Sequence, residues 1–182
     1  LDGARRVAEQ IGRRGGNALA VEVSVDDPDS VDAAVDLALD RSGPITAVVA
    51  SAGVAALPGP VGTIDVAEWH RVIGVNLTGC FLTLRATLGP MATAGGGAAV
   101  LIGSVMSQVA STVGSAAYVA AKHGVVGLAR QAAVDHARDG IRVNAVLPGY
   151  IDTPMARQRL TEQELAERVG RHPIGRLGRP ED

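Results

Sequence analysis

Aromatic side chains are almost missing from this sequence: Phe, Trp and Tyr together make up 2% of its 182 residues. Any core must therefore be built from Ala, Val, Leu and Ile, whose small and branched side chains suit closely packed helix–sheet layers. There is one cysteine, Cys80. That excludes an intrachain disulfide framework and fits a reducing, cytoplasmic setting; lying in an apolar stretch, Cys80 reads as a buried structural thiol. No apolar run reaches the roughly 18–20 residues that span a bilayer, and no signal peptide opens the chain. Neither sign of charge is in marked excess. Lys and Arg total 17 against 19 Asp and Glu, for a formal net charge of −2, and no basic stripe invites nucleic acid. His70, His123, His136 and His172 are scattered without metal-ligand spacing, so no metal is expected. Asp135-His136 has no Gly-x-Ser-x-Gly elbow to complete a hydrolase triad. Trp69 is expected to pack the start of its helix.

What is present is apolar and regularly punctuated. Hydrophobic residues make up 47% of the chain, mean hydropathy is +0.20, and there are 23 glycines. Most of the glycines stand at element boundaries, as in an ordered α/β protein. Residues 1–182 suggest one domain. Leu1–Ile11 reads as a helix with Ala4, Val7, Ala8 and Ile11 on one face. Ala18–Val23 reads as a strand, Asp29–Asp40 as a helix and Ile45–Ala50 as a strand. A long helix runs from Asp65 to about Leu88, followed by a strand at Ala98–Gly103, a second long helix at Ser115–Arg138 and a strand at Ile141–Leu147. A short polar helical region closes the chain. Strands alternating with helices, each strand a continuous apolar run, predict an α/β fold: a three-layer, doubly wound parallel sheet with helices on both faces.

In such sheets ligands bind at the carboxyl ends of the strands. Those ends carry Ser24-Val25-Asp26-Asp27, Ser51-Ala52-Gly53, Ser104, and Pro148-Gly149-Tyr150-Ile151-Asp152-Thr153. Each alone is ordinary turn chemistry. Tyr118 and Lys122 are different. Four residues apart on a predicted helix, they project from one face, which is otherwise small and apolar (Ala117, Ala121, Val125). A Lys beside a Tyr favours the phenolate and is expected to lower its pKa. A phenol so poised can serve as general acid or base on an alcohol or carbonyl.

The wider constellation resembles the classical short-chain dehydrogenase/reductase family over essentially the whole chain. Ser51-Ala52-Gly53 stands where the family has Asn-Ala-Gly. Asn76 lies in an apolar helix, and Ser104 precedes Tyr118-Val-Ala-Ala-Lys122. Arg142–Gly149 (RVNAVLPG) matches the strand before the nicotinamide loop, and His172–Asp182 (HPIGRLGRPED) is also typical. The resemblance implies a Rossmann-like fold and reversible hydride transfer between a secondary alcohol and a ketone, with NAD or NADP as cofactor. It implies Tyr118 as acid/base, Lys122 lowering its pKa and holding the nicotinamide ribose, Ser104 holding the substrate oxygen, and Asn76 disturbing its helix and anchoring a water in a proton relay. Asp26 would lie near the adenine, Ser51, Ala52 and Gly53 would line the cofactor, Pro148 and Gly149 would open the nicotinamide loop, and Ile151 and Thr153 would contact the carboxamide. A homodimer or homotetramer would form through the helices 65–88 and 115–138.

There are departures. The gap from Ser104 to Tyr118 is one residue longer than the commonest family spacing, which leaves Ser107 as a rival serine, and Ser51 replaces the usual Asn. The glycine-rich turn that holds the pyrophosphate at a helix N-terminus has no counterpart here. By this reading the first two family strands and the last helix and strand are absent, so the fold is incomplete at both ends. The 18–23 strand then loses the neighbours that join it to the sheet, and the isolated chain should bind cofactor poorly. Two other readings stand beside this one: a non-catalytic binding or regulatory protein on a degenerate scaffold, and an extended-type sugar-nucleotide epimerase or dehydratase. The four intact residues Asn76, Ser104, Tyr118 and Lys122 argue against the first. The Asn144–Gly149 run argues against the second.

Overall fold

The structure, a computed structural model, describes residues 1–110, 115–153 and 161–182. Its helices are α1 (Asp2–Arg13), α2 (Pro28–Ser42), α3 (Val66–Ile73), α4 (Gly79–Thr93), α5 (Ala116–Asp135) and α6 (Glu162–Gly170); its strands are β1 (Ala47–Ala50), β2 (Gly97–Ile102) and β3 (Ile141–Val146). The helix starts follow capping chemistry. Asp27 accepts from the Asp29 N–H with Pro28 in the first turn of α2, Asp65 from Ala67 N–H at α3, and Ser115 from Ala117 N–H at α5.

The three strands form one parallel sheet in the order β1-β2-β3. The register pairs Ala50 with Leu101 and Ile102 with Val146, so the carboxyl ends of the strands lie together. Below those ends, Leu84, Leu88 and Met91 of α4, Leu101 of β2, Val125, Ala129 and Ala132 of α5, and Ile141 and Val143 of β3 make the buried core. It contains no aromatic residue, as the composition requires. Cys80 is part of it, 3% exposed.

The parallel α/β architecture matches the expectation; two elements do not. Residues 18–23 form no strand. A strand exists only where a neighbour takes its ladder hydrogen bonds, and among the described residues β1 pairs with β2 alone. The apolar face of α1 likewise stays in water: the helix has no buried residue, and Val7 is 54% exposed. The long helix expected over 65–88 is present, but Gly74–Thr78 takes a π-helical turn between α3 and α4. Taken together, Val66–Thr93 is 28 residues long, enough by length and hydropathy alone to cross a membrane, contrary to the expectation that no run is long enough. Of its most apolar window 44% is buried, with α4 packing on β1 and β2, which is the situation of a core helix.

Candidate active site

The π-helical turn places Asn76. Its side chain is wholly buried and pairs with the backbone of the loop after β1: Val54 N–H donates to Asn76 Oδ1 at 2.8 Å, and Asn76 Nδ2 donates to the Val54 carbonyl at 2.9 Å. Extra-residue turns of this kind are frequent at functional sites. A Cβ added to Gly53 would lie 3.2 Å from Asn76 Oδ1 and 4.0 Å from Lys122 Nζ. Gly53, Asn76 and Lys122 therefore meet at one point, reached from β1, the π-helical turn and α5.

Tyr118 and Lys122 share the face of α5 on which Ala117, Ala121 and Val125 are fully buried. Lys122, 5% exposed, donates from Nζ to the Ile102 carbonyl at 2.7 Å, tying α5 to the end of β2. The same ammonium lies 5.7 Å from the centroid of the Tyr118 ring. Ser104 begins the 3₁₀ turn Val105–Ser107, accepts the Met106 N–H at 3.2 Å and is near enough to Tyr118 to influence its ionisation. Ser107 does not take that place: it is buried, and its hydroxyl accepts the Ser104 N–H at 3.1 Å, closing a capping box. The longer spacing between Ser104 and Tyr118 thus leaves Ser104 facing the phenol.

The electrostatics correct one expectation. Tyr118 is held above the ordinary phenol value of 10.0, first because burial penalises the phenolate; the Ser104 hydroxyl acts in the opposite direction, and Tyr150 adds to the rise. The expected lowering by Lys122 is not what dominates. Its ammonium is spent on the Ile102 carbonyl, lies over the ring, and is itself pushed below its ordinary value by burial. Burial likewise raises the Cys80 thiol, as befits a structural cysteine.

The remaining predicted residues lie in three places. Ser51 and Ala52 are exposed beside Gly53 at the end of β1. Asp26 sits over the π-helical turn near Gly74 and accepts from Ser24 Oγ at 2.8 Å. The loop after β3 approaches Ser104, because Pro148 accepts the Val105 N–H at 2.9 Å. Farther along, Ile151 bridges to Gly178, with Asp152 N–H donating to the Gly178 carbonyl at 2.8 Å and Gly178 N–H to the Tyr150 carbonyl at 3.0 Å. A Cβ on Gly178 would lie 2.6 Å from Ile151 Cδ1, so glycine permits this strap. Thr153 is half-buried at its end. The rest of the expected substrate loop, 154–160, lies outside the described residues. Among the described residues no group of His, Cys, Asp and Glu could hold a metal.

Sequence reading missed the roles of Val54, Ile102 and Tyr150. The first two act through backbone groups, which no side-chain pattern announces. Tyr150 was visible in the Pro148-Gly149-Tyr150 run.

The residues fit a nicotinamide cofactor at its reactive end: a glycine cradle at Gly53, a buried ammonium at Lys122, and a phenol with a serine beside it. Comparison with known proteins agrees. A family model described as enoyl-(acyl carrier protein) reductase matches residues 2–182. A cis-4-hydroxycyclohexanecarboxylate dehydrogenase of Sinomonas cyclohexanicum is 44% identical over 181 residues, covering 100% of this chain and 72% of that protein. A cyclohexanol dehydrogenase of Acinetobacter sp. (strain SE19) is 38% identical over 182 residues, covering 100% and 70%. Among solved structures, a gluconate 5-dehydrogenase from Burkholderia cenocepacia J2315, in complex with NADP and tartrate, superposes with a TM-score of 0.89 at 30% identity, covering 96% of this chain and 68% of that one.

Proposed function

The chain belongs to the short-chain dehydrogenase/reductase family of NAD(P)-dependent oxidoreductases, and from that premise we propose that it interconverts a cyclic secondary alcohol and the corresponding ketone, with Tyr118 as acid/base. The observation that carries this reading is the Lys122 ammonium 5.7 Å from the centroid of the Tyr118 ring, at the point where Gly53 and Asn76 also meet. The names of the two relatives, a cyclohexanol dehydrogenase and a hydroxycyclohexanecarboxylate dehydrogenase, support a ring-bearing substrate.

The nicotinamide supplies or accepts the hydride when bound. This chain supplies position and proton handling. Ser104 holds the substrate oxygen. In the reducing direction the neutral Tyr118 phenol donates its proton to the developing alkoxide; in the oxidising direction the phenolate takes it back. Lys122 stabilises that phenolate and holds the ribose. Asn76, clamped to Val54, keeps the π-helical turn open for a relay water. Ser51, Ala52, Gly53, Pro148, Gly149, Ile151 and Thr153 line the cofactor, and Asp26 its adenine end. The cofactor is NAD or NADP. The protein acts as one domain in the cytoplasm, as a homo-oligomer built on the helices 65–88 and 115–138.

The test is Tyr118→Phe, assayed with either cofactor on cyclohexanol and cyclohexanone. General acid–base catalysis contributes about 10²- to 10⁴-fold, and a loss of that order is expected in both directions. Unchanged turnover would refute the assignment.

A further inference from the structure

The loop after β1 runs past both ends of the catalytic pair. It starts at Gly53, where a Cβ would lie 4.0 Å from Lys122 Nζ. It ends at Gly59, which bridges in parallel to Ser115, the N-cap of α5 and three residues before Tyr118. Residues 51–58 are neither helix nor strand, so no ladder of their own fixes their course.

Helix α3 supplies the hold. Glu68 Oε1 accepts the Leu57 N–H at 2.8 Å, and Arg71 Nη2 donates to the Ala55 carbonyl at 2.9 Å. The two side chains are themselves joined: Arg71 Nε donates to Glu68 Oε2 at 2.8 Å and Nη2 to Glu68 Oε1 at 2.9 Å. Such a two-point fork is geometrically specific, which a single ammonium–carboxylate contact is not. Next along the loop, Val54 is gripped by Asn76 through both its N–H and its carbonyl. Residues 54, 55 and 57 are therefore tied in turn to α3 and to the π-helical turn that continues it. An i,i+3 ion pair on a helix surface is ordinary and contributes little. This one differs because each partner also holds backbone eleven or sixteen residues earlier in the chain.

We propose that Glu68 and Arg71 are positioning residues: as a pair they clamp residues 54–57, and so set Gly53, at the reactive end of the cofactor, against the start of α5, which carries Tyr118. This rests on the alcohol–ketone reading above. Both residues act through the loop, by fixing where the cofactor and the phenol meet. A displacement of about 1 Å at a reacting centre costs up to about a hundredfold in rate. A pair that served only α3 would complement its dipole, with Glu68 in the first turn and Arg71 in the last, and would leave turnover of the folded enzyme alone.

The experiment uses the full-length enzyme and Glu68→Gln, Glu68→Ala and Arg71→Met. Glu68→Gln removes the charge but keeps an oxygen for the Leu57 N–H; Glu68→Ala removes both. Amide hydrogen exchange over 54–57 is followed by mass spectrometry. The kcat and KM for cofactor, cyclohexanol and cyclohexanone are measured well below the unfolding temperature. Glu68→Ala and Arg71→Met are expected to speed exchange by roughly fivefold, the equivalent of one hydrogen bond, and to lower kcat by about tenfold to a hundredfold in both directions. Glu68→Gln is expected to keep most of both. A fall in Glu68→Gln as deep as in Glu68→Ala would assign the pair to the charge balance of α3 and overturn the proposal. So would faster exchange with unchanged kcat, or no change in either. Should Glu68→Ala fail to fold, Arg71→Met against Glu68→Gln makes the same comparison. The two readings fail separately: full turnover in Tyr118→Phe sinks the acid/base assignment, whereas the clamp is judged by exchange and by the contrast between Gln and Ala.

Discussion

Tyr118 is a phenol whose neutral form the fold favours, and that sets a direction for its pH dependence. Alcohol oxidation needs the phenolate. With the proton affinity raised above 10.0 by burial, the ionised fraction is small near neutrality and grows about tenfold per pH unit until the raised value is reached. The kcat/KM for oxidation should therefore climb across the whole accessible alkaline range, whereas that for ketone reduction stays flat through neutrality and falls only at the alkaline end. An oxidation profile that levels off near neutrality would show that Lys122, not burial, sets the affinity of the phenol. Asn76 makes a second prediction at this scale. Asn76→Ala would strand both the N–H and the carbonyl of Val54. One unsatisfied buried group costs about 1–3 kcal/mol, so urea unfolding should show a loss of at least that size.

At the scale of elements, the site depends on how closely strands and helices approach. Gly97 opens β2 where a Cβ would run into the Thr46 carbonyl and lie 2.6 Å from Met91 Cε. The Thr46 carbonyl is backbone, and it already accepts the Ala98 N–H at 3.0 Å. It cannot withdraw without parting β1 from β2, the two strands that end at Gly53 and Ser104. Gly97→Ala is therefore expected to destabilise by about 1–3 kcal/mol, the usual cost of overpacking, visible as a lowered denaturation midpoint. An unchanged midpoint would mean that the β1–β2 junction is looser than it looks. The π-helical turn is the other such device: it brings Asn76 onto Val54 at the cost of a regular helix.

Over the whole molecule, apolar surface remains uncovered. Phe81 on α4 is 48% exposed and Val134 on α5 is 74% exposed, while Val49 in β1 is 61% exposed. Phe81 and Val134 lie on the two helices proposed to join subunits. Double substitution Phe81→Glu/Val134→Glu in the full-length protein is expected to shift a dimer or tetramer to monomer in size-exclusion chromatography while leaving the monomer's circular dichroism unchanged. A wild-type protein that runs as a strict monomer would remove the oligomer from the account.

Local pattern alone determined much of this protein. The order of helices and strands, the small-residue core, and the shared face of Tyr118 and Lys122 follow from hydrophobic periodicity and from the four-residue spacing on a helix, which depend on near neighbours. Motif order along the chain was enough to place Asn76, Ser104 and the Pro148-Gly149 loop in one reading. Tertiary structure decided the rest. Residues 18–23 have the composition of a strand and form none, because a strand is made by its neighbour. Tyr118 has a lysine beside it and still holds its proton more tightly, because burial outweighs an ammonium engaged elsewhere. Arg168 and Tyr150 meet only when α6 folds back beside the loop after β3, a long-range contact that no spacing encodes.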